Sequence, residues 1–290
     1  MMKAGIVGIG GMGGGMADRL LEQGWQVTLW NRSPKALARF EGVQNAQIAA
    51  HPAEAAQAGL VVSFVANDAA LESVTTGAEG ILAGLPEGGT HISMSSVSPD
   101  IITALAAKHW PQAELVSAPV FGRPEAAAAG KLWIALSGGE AGCRAARPLL
   151  EAVSQSINVF GDEPETALKV KIAGNFVIAS AIEAMSEAFA MLAGTGADPR
   201  EFHEMMSASI FGSVIHQNYG RIILDRAFQP PGFRLALGGK DIGLARDLAA
   251  QAGADARFAD ILWERFSKAQ EQGWGDDDWN AISRVTWPRN

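Results

Sequence analysis

The sequence predicts an α/β N-terminal domain followed by an all-α C-terminal domain, the two joined by one long helix. Three observations predict it. Short apolar runs alternate with alanine-rich helical stretches through the first 160 residues. That alternation stops at Gly161-Asp162-Glu163-Pro164, and from Glu165 onward only helical spacing remains. The division falls near residue 163, with residues 1–162 in the first domain and 163–290 in the second.

The β-type runs are Ala4–Ile9, Gln26–Trp30, Leu60–Val65, Thr90–Met94, Leu115–Val120, Trp133–Leu136 and Ile157–Phe160. Between them, Met12–Gln23, Pro34–Phe40, Pro99–His109 and Ala141–Val153 have helical spacing. Strands alternating with helices in this way build a mostly parallel sheet. Glu165–Gly194 reads as one helix, broken at Gly194–Pro199. Pro199–Ser207, Leu237–Ala252, Arg257–Glu271 and Asp277–Arg284 complete the helical half.

Composition limits the partners. The chain has 290 residues, net charge −8, 48% hydrophobic residues, 33 glycines and one cysteine. At roughly 100–200 residues per domain, the length favours two domains, each able to bury a core. Cys143 alone forms neither an internal disulfide nor a zinc cluster, which points to a reducing compartment. Residues 1–165 carry 10 basic against 16 acidic groups and the remainder 13 against 15, so no nucleic-acid partner is expected. No secretory signal opens the chain. The apolar stretch Val170–Leu192 is interrupted by Lys171, Asn175, Glu183 and Glu187, so no membrane span is expected either. The expected location is the cytoplasm.

Gly8-Ile9-Gly10-Gly11-Met12-Gly13 satisfies GxGxxG directly after an apolar strand and at the opening of a helix. In that setting Gly8 permits a tight turn and Gly10 lets the backbone approach a pyrophosphate. Gly13 lets the helix pack on the strand, and the helix end presents unpaired N–H groups to the anion. This makes the N-terminal domain a Rossmann-type dinucleotide binder. An NAD site wants an acid about 20 residues further on. Here the sequence is Asn31-Arg32-Ser33, where Arg32 is placed to stack on adenine and pair with a 2′-phosphate, and Ser33 to donate to it. The cofactor read from this turn is NADP(H); the bland alternative leaves Arg32 a solvated loop charge.

The loop, the Asn-Arg-Ser turn and the two-domain rhythm resemble the β-hydroxyacid dehydrogenase family, which includes 3-hydroxyisobutyrate dehydrogenases and semialdehyde reductases. Imine reductases are its more distant relatives. Further segments carry the likeness: Ser93–Pro99, Ala118-Pro119-Val120 with Ala129–Leu132, Lys171-Ile172-Ala173-Gly174-Asn175, Glu187, Phe233–Ala245 and Gly273–Ile282, with Asn280 where the family has Ser. The resemblance implies a hydride-transfer enzyme with Lys171 as proton donor and Asn175 orienting it. It implies a cofactor site made by Gly8, Gly10, Gly11, Met12, Gly13, Asn31, Arg32, Ser33, Val65, Ala66 and Ser96, with Lys240 reaching the nicotinamide end. Ser96, Phe121, Gly122, Arg123, Lys171 and Asn175 form the implied substrate site.

Elementary chemistry fits these roles. Carbonyl reduction develops negative charge on oxygen, and a partly buried lysine suits the proton transfer. Lys171 and Asn175 are four residues apart, neighbours on one helix face. Lys240 follows Gly238-Gly239 and is read as opening a helix, with Asp241 as a cap or structural partner. The substrate loop departs from the family: Phe121-Gly122-Arg123 replaces Ser-Gly-Gly, which removes a hydroxyl and adds apolar bulk. Either Arg123 clamps a substrate acid, or Phe121 is core and Arg123 faces solvent. Tyr219, near His216 and Asn218, is either at the pocket mouth of a partner subunit or ordinary packing.

The five histidines lack metal spacing, no GxSxG triad order appears, and Asp276-Asp277-Asp278 reads as a helix start. The leading expectation is an NADPH-dependent reductase of a small aldehyde or keto acid. The alternatives are an imine reductase and a silent NADP(H)-binding regulator. The long apolar helix predicts a homodimer or higher homo-oligomer.

Overall fold

The computed structural model describes residues 1–288. The chain divides into two compact units, Met1–Lys171 and the residues from Ile172 onward.

The first unit opens with β1 (Lys3–Val7), α1 (Gly11–Glu22) and β2 (Gln26–Trp30). Two tight helical turns, Pro34–Ala36 and Ala38–Phe40, replace the single helix expected over 34–40. Next come β3 (Ala46–Ile48), α2 (Pro52–Ala56), β4 (Leu60–Ser63), α3 (Asp68–Thr76) and α4 (Ile81–Gly84). Then follow β5 (Thr90–Ser93), α5 (Pro99–His109) and β6 (Glu114–Ser117). These six strands form one wholly parallel sheet in the order β3-β2-β1-β4-β5-β6, with the order reversing beside β1 and β4. Open sheets of this kind bind ligands outside the carboxyl ends of the strands at that reversal. Strands of such a sheet are covered on both faces, which explains why central β4 and β5, and even β6 at the edge, are almost continuously buried rather than alternating. Ile6, Leu20, Val62, Ile92 and Leu149 fill one side of the sheet, and Val7, Leu71, Ile102, Leu105 and Leu168 the other.

Two polar side chains inside this core are satisfied by each other. His109 Nδ1 lies 2.7 Å from the Leu105 carbonyl and so carries a hydrogen. Its Nε2 then accepts from His91 Nδ1 at 3.1 Å, and His91 Nε2 accepts from the Ser63 hydroxyl at 2.8 Å. Burial pushes both imidazoles below their ordinary value, so the chain of bonds joins neutral rings.

The run Leu115–Val120 is not one strand. It is split between β6 and β7 (Val120–Phe121), which lie in different sheets. Pro119 stands at the break; it has no N–H to donate, and its carbonyl accepts from Ala135 N at 3.1 Å. Then come α6 (Pro124–Ala128), β8 (Leu132–Leu136), α7 (Glu140–Val153) and β9 (Ser154–Val159). β7, β8 and β9 form a second, mixed sheet, with β7 antiparallel and β9 parallel to β8.

α8 (Thr166–Thr195) begins in the first unit, and the division between the units falls inside it, at Lys171/Ile172. It is the helix, among the described residues, long and apolar enough by composition to cross a membrane. Its Ala179, Ile182 and Phe189 enter the core of the second unit, while Val177 and Met191 are exposed. The second unit continues with α9 (Pro199–Ser207), α10 (Val214–Asp225), α11 (Leu235–Ala252), α12 (Arg257–Glu271), a tight turn at Trp279–Ile282 and α13 (Ser283–Thr286). Glu183 of α8 is wholly buried, yet it meets Arg265 Nε at 2.9 Å and the Thr286 hydroxyl. Burial, the largest influence, pushes its carboxyl above the usual range. Asp278 caps the 279–282 turn through Asn280 N and also accepts from Gly232 N at 2.9 Å, so the acidic run marks a helical start.

Candidate active site

The glycine loop is built by steric necessity at two positions. Gly8 has φ +102°, and a side chain there would run into the Phe64 carbonyl; one at Gly13 would run into the carbonyl of Gly8. Gly10 differs. It is exposed, caps α1 without a side-chain bond, and has nothing within 4 Å of where a Cβ would stand. A Cβ there would stand in open space at the end of a 12-residue helix whose first N–H groups have no side-chain acceptor. That is the arrangement a pyrophosphate requires. A groove of about 530 Å³ runs along this loop, lined by Ile9, Gly10, Gly11, Gly15, Lys35 and Arg39 among others.

Asn31 braces the loop. Its Oδ1 accepts from Ile9 N at 2.9 Å and its Nδ2 donates to the Ser33 carbonyl at 2.9 Å, so both ends of the amide are engaged by backbone. Arg32 and Ser33 follow as exposed residues. Lys35 and Arg39 are cations that the sequence reading did not single out; Arg39 pairs with Asp18 at 3.0 Å. Their signal was the close spacing of three cations, at 32, 35 and 39, after the second strand.

At the carboxyl ends of β4 and β5, Val65 N donates to Ser95 Oγ at 2.8 Å. Asp68 accepts from Ser98 N at 2.9 Å and from its hydroxyl. These bonds tie the segment holding Val65 and Ala66 to the segment holding Ser96. Ser95 and Asp68 are positioning residues that spacing alone gave no reason to choose.

Lys171 lies on the first turns of α8 and is 9% exposed. Its Nζ stands 4.3 Å from the centroid of the Phe121 ring, within cation–π range. Of the two readings of Phe121, the structure makes it half-buried and stacked on the lysine rather than core. Gly122 follows at φ +148°, and Arg123 is half-buried at the start of α6.

Asn175, one turn beyond Lys171, belongs to a network in the second unit. Its Nδ2 donates to Asp241 Oδ2 at 2.6 Å, and Lys240 Nζ pairs with Asp241 Oδ1 at 3.0 Å. Asp241 is 2% exposed. A carboxylate only accepts, so it fixes which end of the Asn175 amide faces it. Lys240 and Asp241 do not open a helix: α11 begins at Leu235, capped by Arg234, and both lie in its second turn. Gly238 and Gly239 are inside the helix because its face there meets Phe266, Trp279 and Gln270. Asp241 is thus a structural partner and not a cap. Tyr219 packs its ring edge-on against Trp279, centroids 5.9 Å apart. Glu187 is 3.9 Å from Arg265.

A parallel sheet with a glycine-rich turn at its reversal, followed by a helical unit, defines a protein of the dinucleotide-binding class. Residues 3–161 match the NAD binding domain of 6-phosphogluconate dehydrogenase, and residues 166–286 match the domain described as NAD-binding of NADP-dependent 3-hydroxyisobutyrate dehydrogenase. The chain is 39% identical to the uncharacterized oxidoreductase YfjR of Bacillus subtilis, over 97% of this chain and 98% of that protein. It is 29% identical to the 2-hydroxy-3-oxopropionate reductase of Escherichia coli, over 97% and 96%. The crystal structure of 3-hydroxyisobutyrate dehydrogenase from Salmonella typhimurium superposes with TM-score 0.89 at 25% identity, covering 98% of this chain and all of that one. The chain belongs to the β-hydroxyacid dehydrogenase family and is an NAD(P)-dependent dehydrogenase.

Proposed function

We propose that this protein is an NADP(H)-dependent reductase of a small aldehyde or keto acid, with Lys171 as the proton donor. The observation that carries this reading is the buried Lys171, one helical turn before Asn175, in the same unit as the dinucleotide loop. When bound, NADPH supplies the hydride. Lys171 gives a proton from Nζ to the carbonyl oxygen, whose negative charge grows as the carbon is reduced. Asn175, its amide held by Asp241, orients the lysine end of the substrate site. Gly10 and the start of α1 hold the pyrophosphate, and Arg32 pairs with the 2′-phosphate. Ser96 and Gly122 hold the substrate's other end. Exposed apolar side chains of the second unit, among them Val177, Met191, Ile210 and Val214, support burial against a second copy of the chain. The cytoplasm remains the proposed location.

The test is a panel of semialdehydes, keto acids and cyclic imines, assayed with NADPH and with NADH. Carbonyl reduction with NADPH is expected to dominate, and a clear preference for imines overturns the reading. Replacing Arg32 with Ala removes charge-assisted bonds worth about 1.5–3 kcal/mol, so NADPH affinity is expected to fall about tenfold or more while NADH affinity holds. Equal losses for both cofactors contradict the 2′-phosphate contact.

A further inference from the structure

Phe121 is fixed beside Lys171 by backbone as well as by packing. It is the last residue of β7, paired with Trp133 of β8 in antiparallel register. Gly122 follows at φ +148°, where a Cβ would lie 2.8 Å from Leu132 Cδ2, so the turn after the ring is specified. The ring is only half-buried, so it presents surface as well as filling space.

The face of an aromatic ring is its negative side and carries no N–H or O–H. It attracts the lysine ammonium 4.3 Å away and, for the same reason, disfavours a carboxylate in the adjoining space. A carbonyl that takes its proton from Lys171 must bring its oxygen to Nζ from a side the ring leaves open. The group attached to the reacting carbon then lies near the ring. An apolar group gains there by leaving water, whereas a carboxylate gives up hydration without a hydrogen-bond donor from residue 121 in return.

We propose that Phe121 is a specificity-determining residue that selects carbonyl substrates with an uncharged, apolar group beside the reacting carbon over those with a carboxylate there. This rests on Lys171 as the proton donor and narrows the proposed substrate class to neutral aldehydes and ketones. Gly122 and Arg123 lie beyond the ring in sequence. If Arg123 instead captures a substrate acid, the preference runs the other way and the proposal falls.

The experiment compares shape-matched pairs with NADPH: 2-methylpropanal against glyoxylate, and 3-methyl-2-butanone against pyruvate. In each pair an isopropyl group stands in for a carboxylate. The wild-type protein is expected to favour the neutral member in kcat/KM by about tenfold or more, the scale on which one pocket residue discriminates. Phe121→Ser, which restores a hydroxyl donor, is expected to move that ratio about tenfold toward the acid, mainly through KM. Phe121→Leu keeps the apolar surface and is expected to keep the neutral preference, which leaves a second variant should the serine protein fail to fold. A wild-type preference for the acid, or a ratio unmoved by Phe121→Ser, overturns the proposal and leaves the reductase reading intact. Wild-type protein that binds NADPH yet reduces neither member of either pair overturns both.

Discussion

The glycines of residues 8–15 and the pair Gly238-Gly239 both lie at helices, yet a methyl group added to each would meet different things. At Gly238 it would stand 2.8 Å from Phe266 Cε1 and 3.0 Å from Trp279 Cε3, inside the core of the second unit. At Gly10 it would meet nothing within 4 Å. One glycine is small because a neighbouring helix is already there; the other faces open space at the N-terminus of α1. Gly8 and Gly13 are intermediate, since they shape the loop through clashes with Phe64 and with the loop's own backbone. The glycine-rich segment is thus part scaffold and part ligand surface, and the difference is legible only from what surrounds each Cα.

Valine at the two extremes tests the distinction. Gly238→Val is expected to have the larger effect on stability, about 2 kcal/mol, because two buried aromatic rings must move; this outweighs the better helix propensity of valine. Thermal unfolding should shift down by several degrees while NADPH affinity in the folded protein holds; an unchanged melting temperature removes the packing role. Gly10→Val is expected to leave the melting temperature within about 2 °C, since φ −86° suits any residue, while NADPH affinity falls about tenfold or more. If Gly10→Val unfolds the protein, or binds NADPH normally, the contrast between the two regions is wrong.

The same contrast explains what the sequence disclosed. Five of the six strands of the parallel sheet and the long helix were legible because apolar runs and helical spacing are local signals. So were Gly8, Gly10 and Gly13, since strand, turn and helix are adjacent in the chain. β3 was missed because it has only three residues, and α10 because Val214-Ile215-His216-Gln217-Asn218 mixes β-branched and polar residues. Its capping Ser213, which accepts from His216 N, was the available start signal. Gly238-Gly239 looked like a break before a helix because nothing local reveals that Phe266 and Trp279 lie against them. Of the site, it was the family resemblance that singled out Lys171 and Asn175, since a mid-helix lysine read by itself is an ordinary solvated charge. The resemblance put Phe121 in one site with Lys171, and Asp241 was read as a cap or structural partner, but the pairings themselves did not appear, since Phe121 lies 50 residues before Lys171 and Asp241 lies 66 residues after Asn175. One sequence carries no mark of such pairings. The substitution of Phe for a hydroxyl residue at 121 was visible; that its ring would stack on the lysine was not.

The central claim is that Lys171 supplies the proton, and replacing it with Ala tests this most directly. NADPH affinity, followed by the change in cofactor fluorescence on titration, is expected to stay within about threefold of wild type, while kcat for carbonyl reduction falls about 10²–10⁴-fold, the usual contribution of a positioned acid. A Lys171→Ala protein that binds NADPH and reduces its substrate at a near-normal rate contradicts the account.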